Sequence, residues 1–179
     1  MHATFVSGNL GLDLAGTVGR RRGEPVDLLA TPADLARWAV AAGLLTTPPE
    51  ADDDDLALAL SLREAVYRLA SAARTGAPYA EEDRRVLNAA AGHPPVSVLL
   101  GEHGVVRDGG LRAALSSVAR AAAELLGGPQ AALIRECEAA PCTRLYVDAS
   151  HRRTRRWCDM RGCGNRAKAA AFRARVRES

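Results

Sequence analysis

Apolar positions recur at helical spacing in several stretches of this chain. Leu35, Trp38, Ala39 and Ala42 fall on one face of a segment that opens at Thr31-Pro32-Ala33-Asp34 and closes at Gly43. Thr31 can cap this helix, Pro32 suits its first position, and Asp34 meets the positive end of the dipole. The periodicity of Trp38 places it in the core. Leu58, Leu62, Ala65, Val66 and Leu69 give the strongest helix, over residues 56–74. The acidic run 52–55 lies at its start, with Asp54 or Asp55 as cap; Glu64–Arg68 offers an i, i+4 pair, and Gly76 and Pro78 end it. A further helix is predicted over residues 80–91, with Glu81, Glu82 and Asp83 in its first turn. Another over 111–126 places Leu111, Leu115, Val118, Ala122 and Leu125 on one side.

Between these two helices the pattern changes. Val96, Val98, Leu99 and Leu100, a turn at Gly101-Glu102-His103-Gly104, and then Val105-Val106 read as a β-hairpin. Residues 5–18 are weakly patterned and permit a short strand or the start of a helix. The triplet Arg20-Arg21-Arg22 reads as a solvated loop. Gly127-Gly128-Pro129 marks a boundary, so residues 1–129 form one domain and 130–179 a second, smaller module entered by a strand over 130–135.

Charge sharpens this division. The chain of 179 residues carries a net charge of only +3. Residues 137–179 hold eleven Lys+Arg against four Asp+Glu, whereas residues 1–136 hold thirteen against seventeen. A basic segment attached to a body that is not basic points to a polyanion partner. The segment lacks the broad apolar face of an interfacial helix, so nucleic acid is expected and a membrane is not. There is no long apolar run and no basic-then-apolar leader after Met1-His2, which predicts a cytoplasmic protein.

The small module also holds every cysteine. Cys137 and Cys142 form a C-x4-C pair; fifteen residues later Cys158 and Cys163 form another. In a reducing compartment, paired cysteines indicate metal rather than disulfides. Four thiolates fill the tetrahedron of one structural zinc ion and leave no open catalytic position. Such an ion can contribute about 10 kcal/mol to folding a module of this size. Leu145-Tyr146-Val147 reads as a strand, and Trp157 and Phe172 complete a small core.

Around the ligands run Arg152, Arg153, Arg155 and Arg156, which form a phosphate-contacting loop. Asn165, Arg166, Lys168 and Arg173 follow on a C-terminal helix whose other face (Ala169, Phe172, Val176) is expected to pack on the zinc core. Arg177 continues the basic face. Arginine can grip phosphate or guanine bidentately, and Asn165 could read adenine. No nucleophile–base arrangement is visible and the histidines are scattered, so an enzyme is not expected.

The string Cys158-Asp159-Met160-Arg161-Gly162-Cys163-Gly164-Asn165-Arg166, preceded by Arg155-Arg156-Trp157, resembles the CGNR zinc finger. Tyr146-Val147-Asp148-Ala149-Ser150 resembles that family's aromatic-x-Asp-x-Ser segment. Upstream, Leu12-Asp13-Leu14-Ala15-Gly16-Thr17 resembles the Leu-Asp-Phe-x-Asn-Thr signature of its companion ABATE domain, with Leu14 in place of Phe and Gly16 in place of Asn. Residues 27–29 and 34–38 resemble the segment that follows. The resemblance implies a stress-induced transcription regulator, with RNA binding also suggested.

Together these readings predict a mainly α (α+β) protein. A helical N-terminal domain with a small β-hairpin precedes a four-cysteine, zinc-ribbon or treble-clef-like module that ends in a helix. The expected function is a DNA-binding transcriptional regulator whose N-terminal domain senses a signal or associates, through a small-molecule ligand or as a homodimer. The alternatives are an RNA-binding zinc-ribbon protein and a protein-interaction adaptor.

Overall fold

A computed structural model describes residues 3–178 and gives six α-helices and three two-stranded antiparallel ribbons among them. Helix α1 (Leu10–Ala15) is short, capped by the Asn9 side chain on Gly11 N, and almost wholly buried. Strands β1 (Val18–Gly19) and β2 (Val26–Asp27) pair across the arginine loop. Helix α2 (Pro32–Ala41) starts in a reciprocal capping box between Thr31 and Asp34, as the sequence predicts. Helix α3 (Asp53–Thr75) is the longest element; Asp52, rather than Asp54 or Asp55, is its cap, and Gly76 ends it in the left-handed conformation (φ 71°). Helix α4 (Glu81–Ala91), the hairpin β3 (Ser97–Gly101) and β4 (Gly104–Asp108), and helix α5 (Leu111–Gly127) follow.

Helices α1, α3, α4 and α5 pack around one core that includes Leu14, Leu35, Trp38, Leu62, Leu69, Leu115 and Val118. Helices α1 and α5 approach closely at Gly11. A Cβ placed on Gly11 would lie 2.6 Å from Cβ of Ala122, so only glycine lets these helices meet. Among the described residues, no helix is long and apolar enough to cross a membrane.

The core continues past Pro129. Residues Pro129–Leu133 form a 3-10 turn where a strand is expected to begin at 130, because Pro129 suits a helical first position. Strand β5 begins only at Ile134 (Ile134–Glu136) and pairs with β6 (Leu145–Val147). Ile134, Leu145 and Val147 are buried in the same core as the helices, and Val147 N donates to Ser7 O at 2.8 Å. The last elements are a π-helical turn (Met160–Gly164) and helix α6 (Asn165–Glu178).

Ion pairs depart from the sequence reading in two places. Glu64 does not pair with Arg68. It receives Arg21 (2.6 Å) and Arg63 (3.0 Å), while Arg68 reaches Asp83 on α4 at 2.6 Å. Nor is the arginine triplet simply solvated. Arg21 also lies 4.0 Å over the Tyr67 ring, its backbone N donates to Thr143 Oγ1 at 3.1 Å, and Arg22 pairs with Glu136. Sequence spacing finds neighbours on one helix, but here partners on other elements compete more strongly.

Gly11→Ala is expected to destabilise the protein by about 1–3 kcal/mol through overpacking against Ala122. Gly127→Ala, where an added Cβ meets nothing within 4 Å, serves as control. A melting temperature lowered by roughly 2–10 °C in the first variant alone bears this out; equal melting temperatures would refute the tight contact.

Candidate metal centre and nucleic-acid interface

The first cysteine pair sits on the knuckle that joins β5 to β6. Cys137 N donates to Arg144 O (3.0 Å), extending the ladder by one rung, and Cys142 N donates to Ala139 O (2.7 Å), closing the turn. The second pair lies just ahead of α6, with Cys158 before the π-helical turn and Cys163 within it. Asp159 caps the π-helical turn by accepting Gly162 N at 2.6 Å, which brings Cys163 round towards Cys158. A hairpin knuckle thus faces a helix N-terminus, with two sulfurs from each.

All four Sγ atoms lie within 4.8 Å of one another, and Cys137, Cys158 and Cys163 are buried. Cys142–Cys158 and Cys158–Cys163 separations are 3.9 and 3.6 Å. Zn–S bonds near 2.3 Å at tetrahedral angles require sulfurs about 3.8 Å apart, so the donor set fits one zinc ion. The surroundings suit thiolate ligands: Cys158 N points at Cys137 Sγ (3.4 Å) and Arg166 Nη2 at Cys163 Sγ (3.0 Å). Ionisation of the sulfurs alone is in conflict. Hydrogen bonds from Cys142 and Cys158 hold Cys137 far below the usual thiol range, while the same sulfur pushes Cys142 up to about 11 and Cys158 higher still. A divalent cation among them removes that conflict, because it stabilises every thiolate at once.

Tyr146 and Trp157 pack around the sulfurs with Val6, Ala139 and Ala167. Phe172 and Val176 do not. They are 61% and 60% exposed, and Ala169 is exposed as well, so the expected apolar face of α6 is uncovered. The sulfur core is already filled by residues nearer the ligands.

The arginines divide into two groups. Arg155 is turned inward, its guanidinium donating to Val6 O (3.0 Å), Trp157 O (2.9 Å) and Cys158 O and lying 4.5 Å over the Tyr146 ring. Arg156 pairs with Glu138 at 2.6 Å and lies beside Trp157. Asn165 Nδ2 donates to Arg161 O at 3.2 Å, and Arg166 is held on Cys163. By contrast the side chains of Arg152, Arg153, Arg161, Lys168 and Arg173 are exposed and have no hydrogen-bond or ion-pair partner among the described residues. The Arg177 side chain lies outside the described residues.

The loop that carries Arg152 and Arg153 is anchored by Asp148, which is 1% exposed. Burial opposes its charge, but bonds from Ser150 Oγ (2.6 Å), Ser150 N (3.1 Å) and Arg155 N (3.1 Å) outweigh it and hold the carboxyl below its ordinary range. Arg153 takes a left-handed turn (φ 50°) and donates its N to Ser150 O.

A cleft of about 360 Å³ separates β1–β2 from the metal centre, lined by Val18, Val26 and Leu28 on one side and Pro141, Cys142 and Arg166 on the other. Arg144, which lies between the ligand pairs, crosses it and donates to Thr4 O (3.0 Å) and Gly16 O (3.1 Å). A Cβ on Gly16 would stand 2.3 Å from this guanidinium. Glycine at position 16 therefore makes room for Arg144. Nothing in the sequence marked Arg144 for this role; only its position between the ligands could have.

Two outcomes follow. Metal analysis should find about one zinc per chain, and chelation should raise amide exchange around the cysteines and α6 while the amides of α3 and α5 stay protected. A metal-free protein with an equally protected knuckle would overturn the assignment. Second, the depressed Asp148 carboxyl contributes stability above its unfolded value near 4, and this is lost as pH falls through the lower folded value. Amide protection at Ser150 and Arg155, corrected for the intrinsic pH dependence of exchange, should fall over that range in the native protein and already be low in Asp148→Asn at neutral pH; identical protection in the two would refute the anchor.

Comparison with known families agrees with this geometry. Residues 134–176 match the CGNR zinc finger, and residues 8–129 match ABATE, described as “Putative stress-induced transcription regulator”. No curated protein matches the chain. With most of its length matched, the chain belongs to the ABATE family and carries a CGNR zinc finger after that domain.

Proposed function

We propose that this protein is a DNA-binding regulator, a binding protein rather than an enzyme. Its zinc knuckle holds a loop and a helix against the phosphate backbone. The observation that carries this reading is the set of partnerless cations, Arg152, Arg153, Arg161, Lys168 and Arg173, mounted on the two segments that the cysteines and Asp148 hold in place. Cations already neutralised within a protein add little to phosphate binding; these are available for it. Arg155, Arg156 and Arg166 act on the shape of the surface, by bracing the knuckle. Signal sensing belongs to the cleft, whose two walls come from the two sequence families and whose volume suits a small organic ligand.

A second reading has one observation in its favour. Phe172 is exposed on the same helix as Lys168 and Arg173. An uncovered aromatic among cations is suited to stack on an unpaired base, as in single-stranded RNA.

Affinity for duplex DNA should fall steeply with salt, with a log–log slope of about −4 if most of these cations meet phosphates. Arg152→Ala/Arg153→Ala should flatten that slope by about 2 at unchanged zinc content. Phe172→Ala should leave duplex affinity within about threefold and reduce single-stranded RNA binding only if the second reading holds. Binding that ignores salt, or is absent for both nucleic acids, would leave a protein-interaction adaptor as the surviving reading.

A further inference from the structure

The hairpin β3–β4 stands apart from the core. Val98, Leu99, Leu100, Val105 and Val106 are 62%, 58%, 89%, 56% and 42% exposed. Exposed apolar side chains on both faces of a two-stranded ribbon are unusual, because an isolated hairpin is marginal in water and exposed apolar patches tend to mark contacts.

The two edges of the ribbon differ. On β4, Arg107 exchanges hydrogen bonds with Thr46: Thr46 N donates to Arg107 O at 3.1 Å, and Arg107 N donates to Thr46 Oγ1 at 2.8 Å. These bonds show that Arg107 turns its backbone groups away from β3. Val98 is its direct partner across the ladder, so Val98, and Leu100 two residues on, turn theirs away from β4. At the base of β3 the edge is closed, since Val96 N donates to Ser117 Oγ at 3.1 Å. The outer edge at Val98 and Leu100 has no partner among the described residues. It also carries none of the usual protection: the strand Ser-Val-Leu-Leu-Gly has no charge, no proline and no bulge.

We propose that this edge is a homodimer interface, in which β3 pairs antiparallel with β3 of a second copy about a two-fold axis through Leu99. Val98 then faces Leu100 of the partner subunit, and each exchanges backbone hydrogen bonds with the other. The result is a continuous four-stranded sheet in the order β4, β3, β3, β4. A second copy is the fitting occupant for two reasons. An uncharged strand read against itself opposes no like charges, and the open groups fall on residues that a two-fold axis pairs with one another. An interface of one strand pair is small, so the association is expected at about micromolar strength. The inference does not depend on what the zinc finger binds.

The test is sedimentation equilibrium of the zinc-loaded full chain, without nucleic acid, at concentrations up to about 200 µM. The native protein should be a dimer at the upper end. Leu100→Lys puts a charge on the edge at a position that is 89% exposed, and Val98→Pro removes an outward N–H not used within the hairpin. Each should weaken association by at least about tenfold at unchanged zinc content and helical signal. Hydrogen exchange on the unmodified protein decides independently of the variants: the Val98 and Leu100 amides should be protected when concentrated and exposed when dilute. A native protein that remains monomeric, a dimer that survives both variants, or amides at 98 and 100 whose exchange ignores concentration would each overturn the proposal.

Discussion

Four sulfurs held within 4.8 Å of one another cannot all carry charge unless a cation lies among them. That requirement organises the C-terminal quarter of the chain. The ion ties a hairpin knuckle to the first turn of a helix, and the segment between the pairs has to loop outward to span the distance. Arg152 and Arg153 sit exposed on that loop. The metal therefore does more than add stability: it fixes the direction in which the charged tip points. Arg155 and Tyr146 complete the brace from inside, one filling carbonyl acceptors around the second cysteine pair and the other filling the space beneath.

The metal centre is not mounted on a flexible tether. β5 and β6 contribute Ile134, Leu145 and Val147 to the helical core, Arg144 reaches back to Thr4 and Gly16, and Arg21 and Arg22 reach forward to Thr143 and Glu136. Of these residues Arg144, Thr4 and Gly16 line the cleft. A shift of Thr4 or Gly16 would have to move Arg144 or break its bonds, and Arg144 stands two residues from Cys142. The physical route between the two families' segments is therefore short and made of hydrogen bonds rather than loose packing.

Much of this was legible in the sequence. The helices announced themselves through periodicity and caps, the hairpin through its β-rich run, and the metal centre through paired cysteines. What remained hidden shares one cause: the sequence pattern gives which residues share a face but not what lies opposite. Phe172 and Val176 are correctly spaced for an apolar face, yet no element covers it. Glu64 and Arg68 are correctly spaced for a pair, yet each finds a stronger partner on another element. Four arginines in five positions looked alike, and only the fold distinguishes Arg155, turned inward, from Arg152 and Arg153. The start of α1 was ambiguous because six residues buried on nearly every side have no amphipathic signature.

The continuity of the core across Pro129 limits how freely this finger could be reused. A segment cut at the family boundary would lay bare the apolar undersides of Ile134, Leu145 and Val147, so the zinc knuckle is not a cassette that can be moved intact to another protein. Recombination that swaps fingers among relatives would have to carry matching surfaces of α1 and α3 along with them. The two parts must therefore change in step: an arginine at position 144 in this pose requires a residue without a side chain at position 16.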